Sequence, residues 1–115
     1  MYTEDMLSDK TVETVMKFAR EREWEKFHTP GTLAKSIAIE AAELLECFQW
    51  EDEARDGDME HVADELADVL TYCIEMAQLL GLNMDTIVLN KLEKTRQKYP
   101  VETSKGNNHK YRELH

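Results

Sequence analysis

The chain has 115 residues and a formal net charge of -10, from 14 Lys and Arg against 24 Asp and Glu. A length of this order supports one modest core, so a single domain over residues 1–115 is expected, and a thin helical layer gains by burying a second face against another copy. The acidic balance excludes a protein that wraps a nucleic-acid polymer, since such proteins cluster Lys and Arg against the phosphates, but a small polyphosphate is compatible if divalent cations intervene.

Glycine and proline are sparse, with four and two residues, and apolar residues recur at three and four rather than two, so the predicted fold is all-α. A first helix starts near Ser8 or Asp9 and turns Val12, Val15, Met16 and Ala19 inward. His28-Thr29-Pro30-Gly31 reads as a connection, because the residue before proline is pushed out of the helical region. Thr32 is the predicted cap of a second helix with the buried stripe Leu33, Ile37, Ala41, Leu44, Leu45 and Phe48, ending near Trp50. Glu51 to Gly57 suits an exposed loop, and Asp58 caps a third helix that buries Val62, Leu66, Val69, Leu70, Cys73, Ala77 and Leu80 and stops at Gly81. A fourth helix runs from about Met84 to Lys98 and is closed by Pro100. Residues 100–115 form a polar tail, expected to be irregular. The architecture expected is a four-helix bundle, assembled as a homodimer or homotetramer.

Cys47 and Cys73, the two cysteines, lie in apolar helical patterns and read as reduced core residues. No stretch approaches the ~20 apolar residues of a membrane span and the N-terminus lacks a basic start, so no membrane partner is expected and a cytoplasmic location is the default.

The chemistry is carried by two acidic pairs. Glu40 and Glu43 on the second helix, and Glu65 and Asp68 on the third, are each spaced by three, which sets the members of a pair about 60° apart around the axis. Measured against the apolar stripe of its own helix at about 100° per residue, each pair falls on the same side, with Glu40 and Glu65 at the stripe's border and Glu43 and Asp68 one step beyond. When the stripes pack together, four carboxylates can face one groove, where they repel and raise one another's pKa unless a cation neutralises them. All-oxygen ligation suits Mg²⁺, or Mn²⁺ in its place, rather than zinc. Acidic residues at helical spacing also form ordinary solvated faces, and spacing alone does not select a reaction.

With these residues in place the chain resembles the MazG-like nucleoside triphosphate pyrophosphohydrolases, close to their dCTP pyrophosphatase branch. The resemblance runs from Phe18 to Leu114. It includes Glu21-Arg22-Glu23-Trp24-Glu25-Lys26-Phe27-His28, the two acidic pairs, Phe48-Gln49-Trp50, Lys91, Arg96, Tyr99-Pro100-Val101, Lys105-Gly106 and Lys110-Tyr111. It implies that Glu40, Glu43, Glu65 and Asp68 hold Mg²⁺, that one of them orients the water, and that a nucleoside triphosphate, as a deoxynucleotide such as dCTP, is cleaved to monophosphate and pyrophosphate.

The resemblance also implies that Trp24, Trp50 and Tyr72 help enclose the base, while ordinary burial at a helix end stays open for the two tryptophans. Lys91, Arg96, Lys105, Lys110 and Tyr111 match its phosphate-contacting set, and solvated surface charge is the alternative for the lysines. Thr95 stands where many relatives carry Asn, which touches substrate preference more than activity. His28, in the matching turn, is expected near the base or sugar, with a hydrogen-bonded loop histidine as the alternative. Two rival readings remain: a di-metal carboxylate bundle, for which Glu25 and His28 offer one Glu-x-x-His, and a non-catalytic helical interaction module.

Overall fold

The computed structural model describes residues 8–54 and 58–106, all helix, turn or loop, with no strand among them. The all-α expectation holds. The chain divides into two compact units, Met1–Gly81 and Leu82–His115. No helix among the described residues is long and apolar enough to cross a membrane.

In the first unit, α1 (Asp9–Glu21) begins at Ser8, whose hydroxyl accepts from the backbone N–H of Thr11 at 3.3 Å. It ends where Glu23 takes a left-handed backbone, φ 56°, a conformation that costs a non-glycine residue roughly 1–2 kcal/mol. That reversal leads into a 3₁₀ turn, Trp24–Phe27, which the apolar pattern did not predict.

Helix α2 (Pro30–Glu46) starts earlier than expected, and its cap is Thr29 rather than Thr32. The two threonines form a reciprocal box: Thr32 N–H donates to Thr29 Oγ1 at 3.1 Å, and Thr29 N–H donates to Thr32 Oγ1 at 2.8 Å. Pro30 fits the first helical position because its missing N–H has no intrahelical partner there. The helix also stops short of Trp50, with residues 47–50 in turns.

Helix α3 (Met59–Leu79) follows. Asp58 precedes it without a side-chain capping bond. Gly81, at φ 69°, supplies the expected left-handed residue after its end. Helix α3 is the central element, packed along α2 and more locally against α1. The α2 and α3 helices run in opposite directions, since Leu33 shares a cavity wall with Glu75, Gln78 and Leu79 while Glu40 lies beside Glu65. Ala19, Leu33, Ile74 and Ala77 are the fully buried apolar side chains among the described residues.

The seam differs from the predicted stripes. Ala41 and Leu45 of α2, and Leu66, Leu70 and Leu80 near or on α3, are exposed, whereas Leu33, Ile37, Glu40 and Leu44 of α2, with Cys47 just after it, and Val62, Glu65, Val69, Tyr72 and Met76 of α3 are covered. Both runs step by three and four, so Glu40 and Glu65 occupy seam positions rather than the stripe's border. A pattern that weighs only hydrophobicity drifts toward the leucines and away from the glutamates.

In the second unit, α4 (Met84–Lys98) is capped by Asn83, whose Oδ1 accepts from Thr86 N–H at 2.9 Å. Pro100 ends it as expected, but the tail is not wholly irregular: Val101–Ser104 forms a short helix, α5. The lone turn is explained by Pro100, whose carbonyl accepts from the N–H groups of Thr103 and Ser104.

Candidate functional site

The α2–α3 seam brings Glu40, Glu43 and Glu65 together, with one carboxylate oxygen of each lying within 4.8 Å of the others. Glu43 is exposed, while Glu40 and Glu65 are partly covered. Oε2 of Glu40 and Oε2 of Glu65 are buried and have no hydrogen-bond partner. Asp68 does not join the triple at that spacing, although its charge acts on both glutamates.

Burial, then a hydrogen bond with Glu43, then the charges of Glu43, Asp68 and Glu65 push the Glu40 carboxyl above its ordinary range. Glu65 is raised by burial and Glu43 in the same way, while His61, with Nδ1 3.8 Å from Glu65 Oε1, works in the opposite direction. Three clustered carboxylates with two buried orphan oxygens are costly alone and are relieved by a hard cation that takes oxygen ligands. The cluster contains no histidine or cysteine, and among the described residues Glu25 and His28 enter no such group. The Glu-x-x-His rival therefore lacks its site there.

Beside this cluster lies a cavity of about 400 Å³ lined by Thr14, Val15, Phe18, Trp24, His28, Asp68, Thr71, Tyr72 and Glu75. Trp24 is held edge-on to Phe18, with ring centroids 5.6 Å apart at 75°, and Arg22 covers Phe18 with its guanidinium carbon 3.6 Å from the ring centre. Thr71 turns its hydroxyl back to the Ala67 carbonyl at 2.8 Å, so the wall there is mainly methyl and ring. Asp68 thus links the two features: it lines the cavity and acts on Glu40. Tyr72, one turn further along α3, has its phenol raised by burial and then by Glu40, Glu75 and Asp68.

Of the predicted base-enclosing residues, Trp24, His28 and Tyr72 meet in this cavity. Trp50 does not line it and is 86% exposed. On the second unit, Lys91 and Thr95 line a shallow apolar hollow with Ile87, Val88 and Leu92. Arg96 makes a two-pronged pair with Glu93, at 2.9 Å and 2.6 Å, and Lys105 is exposed. Lys110 and Tyr111 lie outside the described residues. Cys47 and Cys73 are free thiols, and burial, then the charge of Glu65, pushes the Cys47 thiol up.

Glu75 went unread in the sequence. It sits between Ile74 and Met76 in an apolar run, and that isolation was the available signal, because a lone acid on a buried face needs a partner. Its partner is His28, whose Nδ1 is 3.4 Å from Glu75 Oε1.

Comparison with known proteins places the chain in context. The model of the MazG-like family matches residues 35–114. The chain is 36% identical over 105 residues to dCTP pyrophosphatase 1 of Rattus norvegicus, covering 85% of this chain and 62% of that protein. With the protein of the same name from Bos taurus it is 33% identical over 118 residues, covering 93% and 70%. It spans less than two thirds of the length of the rat relative. A solved structure of a pyrophosphatase from Archaeoglobus fulgidus matches with a TM-score of 0.70 and 38% identity, over 80% of this chain and 91% of that one.

Proposed function

This chain belongs to the MazG-like family, and from that premise we propose that it hydrolyses a nucleoside triphosphate to the monophosphate and pyrophosphate. The observation that carries the reading is the Glu40, Glu43 and Glu65 triple, with two buried oxygens that have no protein partner. The donors fit Mg²⁺, with Mn²⁺ as a substitute, and Asp68 is the fourth carboxylate at the border of cluster and cavity. Bound there, the cation supplies charge neutralisation at the phosphates and a more acidic water.

The chain's own groups do the rest. A carboxylate of the set takes a proton from the attacking water as its oxygen bonds to phosphorus, and the bridge between the α and β phosphates breaks to leave monophosphate and pyrophosphate. Trp24 and Tyr72 offer flat faces to the base, and His28 a hydrogen-bonding edge. Trp50, Lys91, Thr95, Arg96, Lys105, Lys110 and Tyr111 enter through the family likeness, the cationic ones as phosphate contacts. For Arg96 this requires that Glu93 share it.

The substrate proposed is a deoxynucleoside triphosphate, with dCTP as the first candidate because the mammalian relatives are dCTP pyrophosphatases. Nucleotide-pool housekeeping in the cytoplasm, by a homodimer or homotetramer, completes the proposal. The test is a panel of ribo- and deoxyribonucleoside triphosphates assayed for monophosphate and pyrophosphate with and without Mg²⁺. Release of orthophosphate alone, or no release from any of them, would refute it.

A further inference from the structure

Glu75 is the charged residue buried among the described residues, 6% exposed, and none of the roles above uses it. It stands on α3 seven residues after Asp68, two turns along nearly the same face. Glu75 and His28 together line the 400 Å³ cavity and also a second one of about 250 Å³ that is completed by Met16, Glu25, Leu33, Gln78 and Leu79. The pair therefore stands between the two spaces.

His28 is fixed from both sides of the chain. Its N–H donates to the Glu25 carbonyl at 3.1 Å, and the next residue is Thr29 of the capping box. The ionisable groups that share these walls are Asp68 and Tyr72 of α3 and Glu25 of the 3₁₀ turn, while α1 and α2 contribute Thr14, Val15, Met16, Phe18 and Leu33. No lysine or arginine lines either space, so among these residues His28 is the one that can carry a positive charge beside Glu75.

A neutral imidazole carries its proton on one nitrogen or the other. A carboxylate placed against Nδ1 selects the form with hydrogen there, because the other form would set two acceptors against each other in a buried place. The nitrogen left for a ligand is then Nε2. Burial raises the Glu75 carboxyl, and the neighbouring His28 opposes that rise.

We propose that Glu75 is a positioning residue: it fixes the His28 imidazole with its proton on Nδ1, and so sets the hydrogen-bonding edge that the cavity offers to a nucleobase. This deepens the proposed function and rests on its reading of the cavity as the base pocket. The experiment uses the whole chain, labelled with ¹⁵N, and the four deoxynucleoside monophosphates as probes. The histidine tautomer is read by long-range ¹H–¹⁵N correlation, and affinity by titration. In the wild type His28 carries its proton on Nδ1. In Glu75→Gln, whose amide can either accept from Nδ1 or donate to it, that preference is lost and affinity for the best monophosphate falls by about 5–10-fold, the worth of one hydrogen bond. The loss appears in KM, with kcat within about twofold of wild type on the same scale. In a His28→Ala background the Glu75→Gln change has no further effect.

Three results would overturn the proposal: a wild-type His28 protonated on Nε2 alone, an affinity loss equally large in the His28→Ala background, or no loss in either. The wild-type tautomer decides even if the variants fail to fold. A wild type that binds monophosphates but hydrolyses no triphosphate would end the proposed reaction and leave the role of Glu75 to be judged by the tautomer and the titrations. One that binds no monophosphate would remove the base-pocket reading and this proposal with it.

Discussion

Glu40 and Glu65 meet across the α2–α3 seam from core-facing positions, and each keeps Oε2 buried without a hydrogen-bond partner. Such an arrangement destabilises the bare helix pair and stores affinity for a cation. Glu40→Gln and Glu65→Gln are each expected to lower pyrophosphate release by about 100-fold or more. In the presence of a chelator, the same variants should melt at the wild-type temperature or above it, because a like-charge contact has been relieved. Circular dichroism melts in EDTA, run beside the release assay, check both halves, and a clear drop in Tm for both variants would contradict the account.

The pH dependence has a definite sign. Folded-state pKa values raised above the ordinary 4.5 mean that the native chain binds more protons than the unfolded one, so this contribution to stability is full below that value and is lost as pH rises through the raised pKa values. In EDTA, wild-type Tm is expected to fall as pH rises above 4.5, relative to a Glu40→Gln, Glu65→Gln double variant. Saturating Mg²⁺ should erase the difference by binding the native state. A wild-type protein that gains stability relative to the double variant over that rise would reverse the argument.

Trp24 is the tryptophan of the cavity. A protein with Trp50→Phe, keeping Trp24 alone, should retain a fluorescence change on titration with a nucleoside monophosphate. Trp24→Ala should weaken that nucleotide by about 1 kcal/mol or more, the scale of a base stacked on an aromatic ring. Unchanged affinity in Trp24→Ala would remove this residue from the site.

Thr32 gathers three local contacts in one hydroxyl: it accepts from Thr29 N–H and donates within range of the carbonyls of Phe27 and Thr29. Thr32→Ala is expected to cost about 1 kcal/mol in urea unfolding, as for other lost helix caps. A change below a few tenths would mean that the box is ornamental.

On α4, Val88 and Leu92 are neighbours one turn apart and are 59% and 58% exposed. Exposed apolar faces of this kind favour self-association. Sedimentation should find more than one chain per particle, and Val88→Glu with Leu92→Glu should shift the distribution toward the monomer. A wild type that sediments as a monomer at micromolar concentration would set the assembly expectation aside.

The four long helices were legible because their apolar spacing, Gly81 and Pro100 act through local geometry. The start of α2 was not, since both Thr29 and Thr32 are acceptable caps and only the reciprocal bonding distinguishes them. The acidic pairs were legible from their spacing, but their depth was not: Glu40 and Glu65 replace apolar residues at seam positions, and a hydrophobicity pattern treats every charge as outward. The same habit hid Glu75. Trp50 could not be placed from its neighbours, because a ring at a helix end can cover the site, the core or neither.

Helix α3 carries Glu65, Asp68, Tyr72 and Glu75 on one rod, with Asp68 at one mark and the His28 contact about 10 Å further on, at 1.5 Å per residue from Asp68 to Glu75. A rod with fixed graduations works as a gauge. Whatever fills both regions at once must match that span, and one residue inserted between Asp68 and Tyr72 would swing the two marks about 100° out of line.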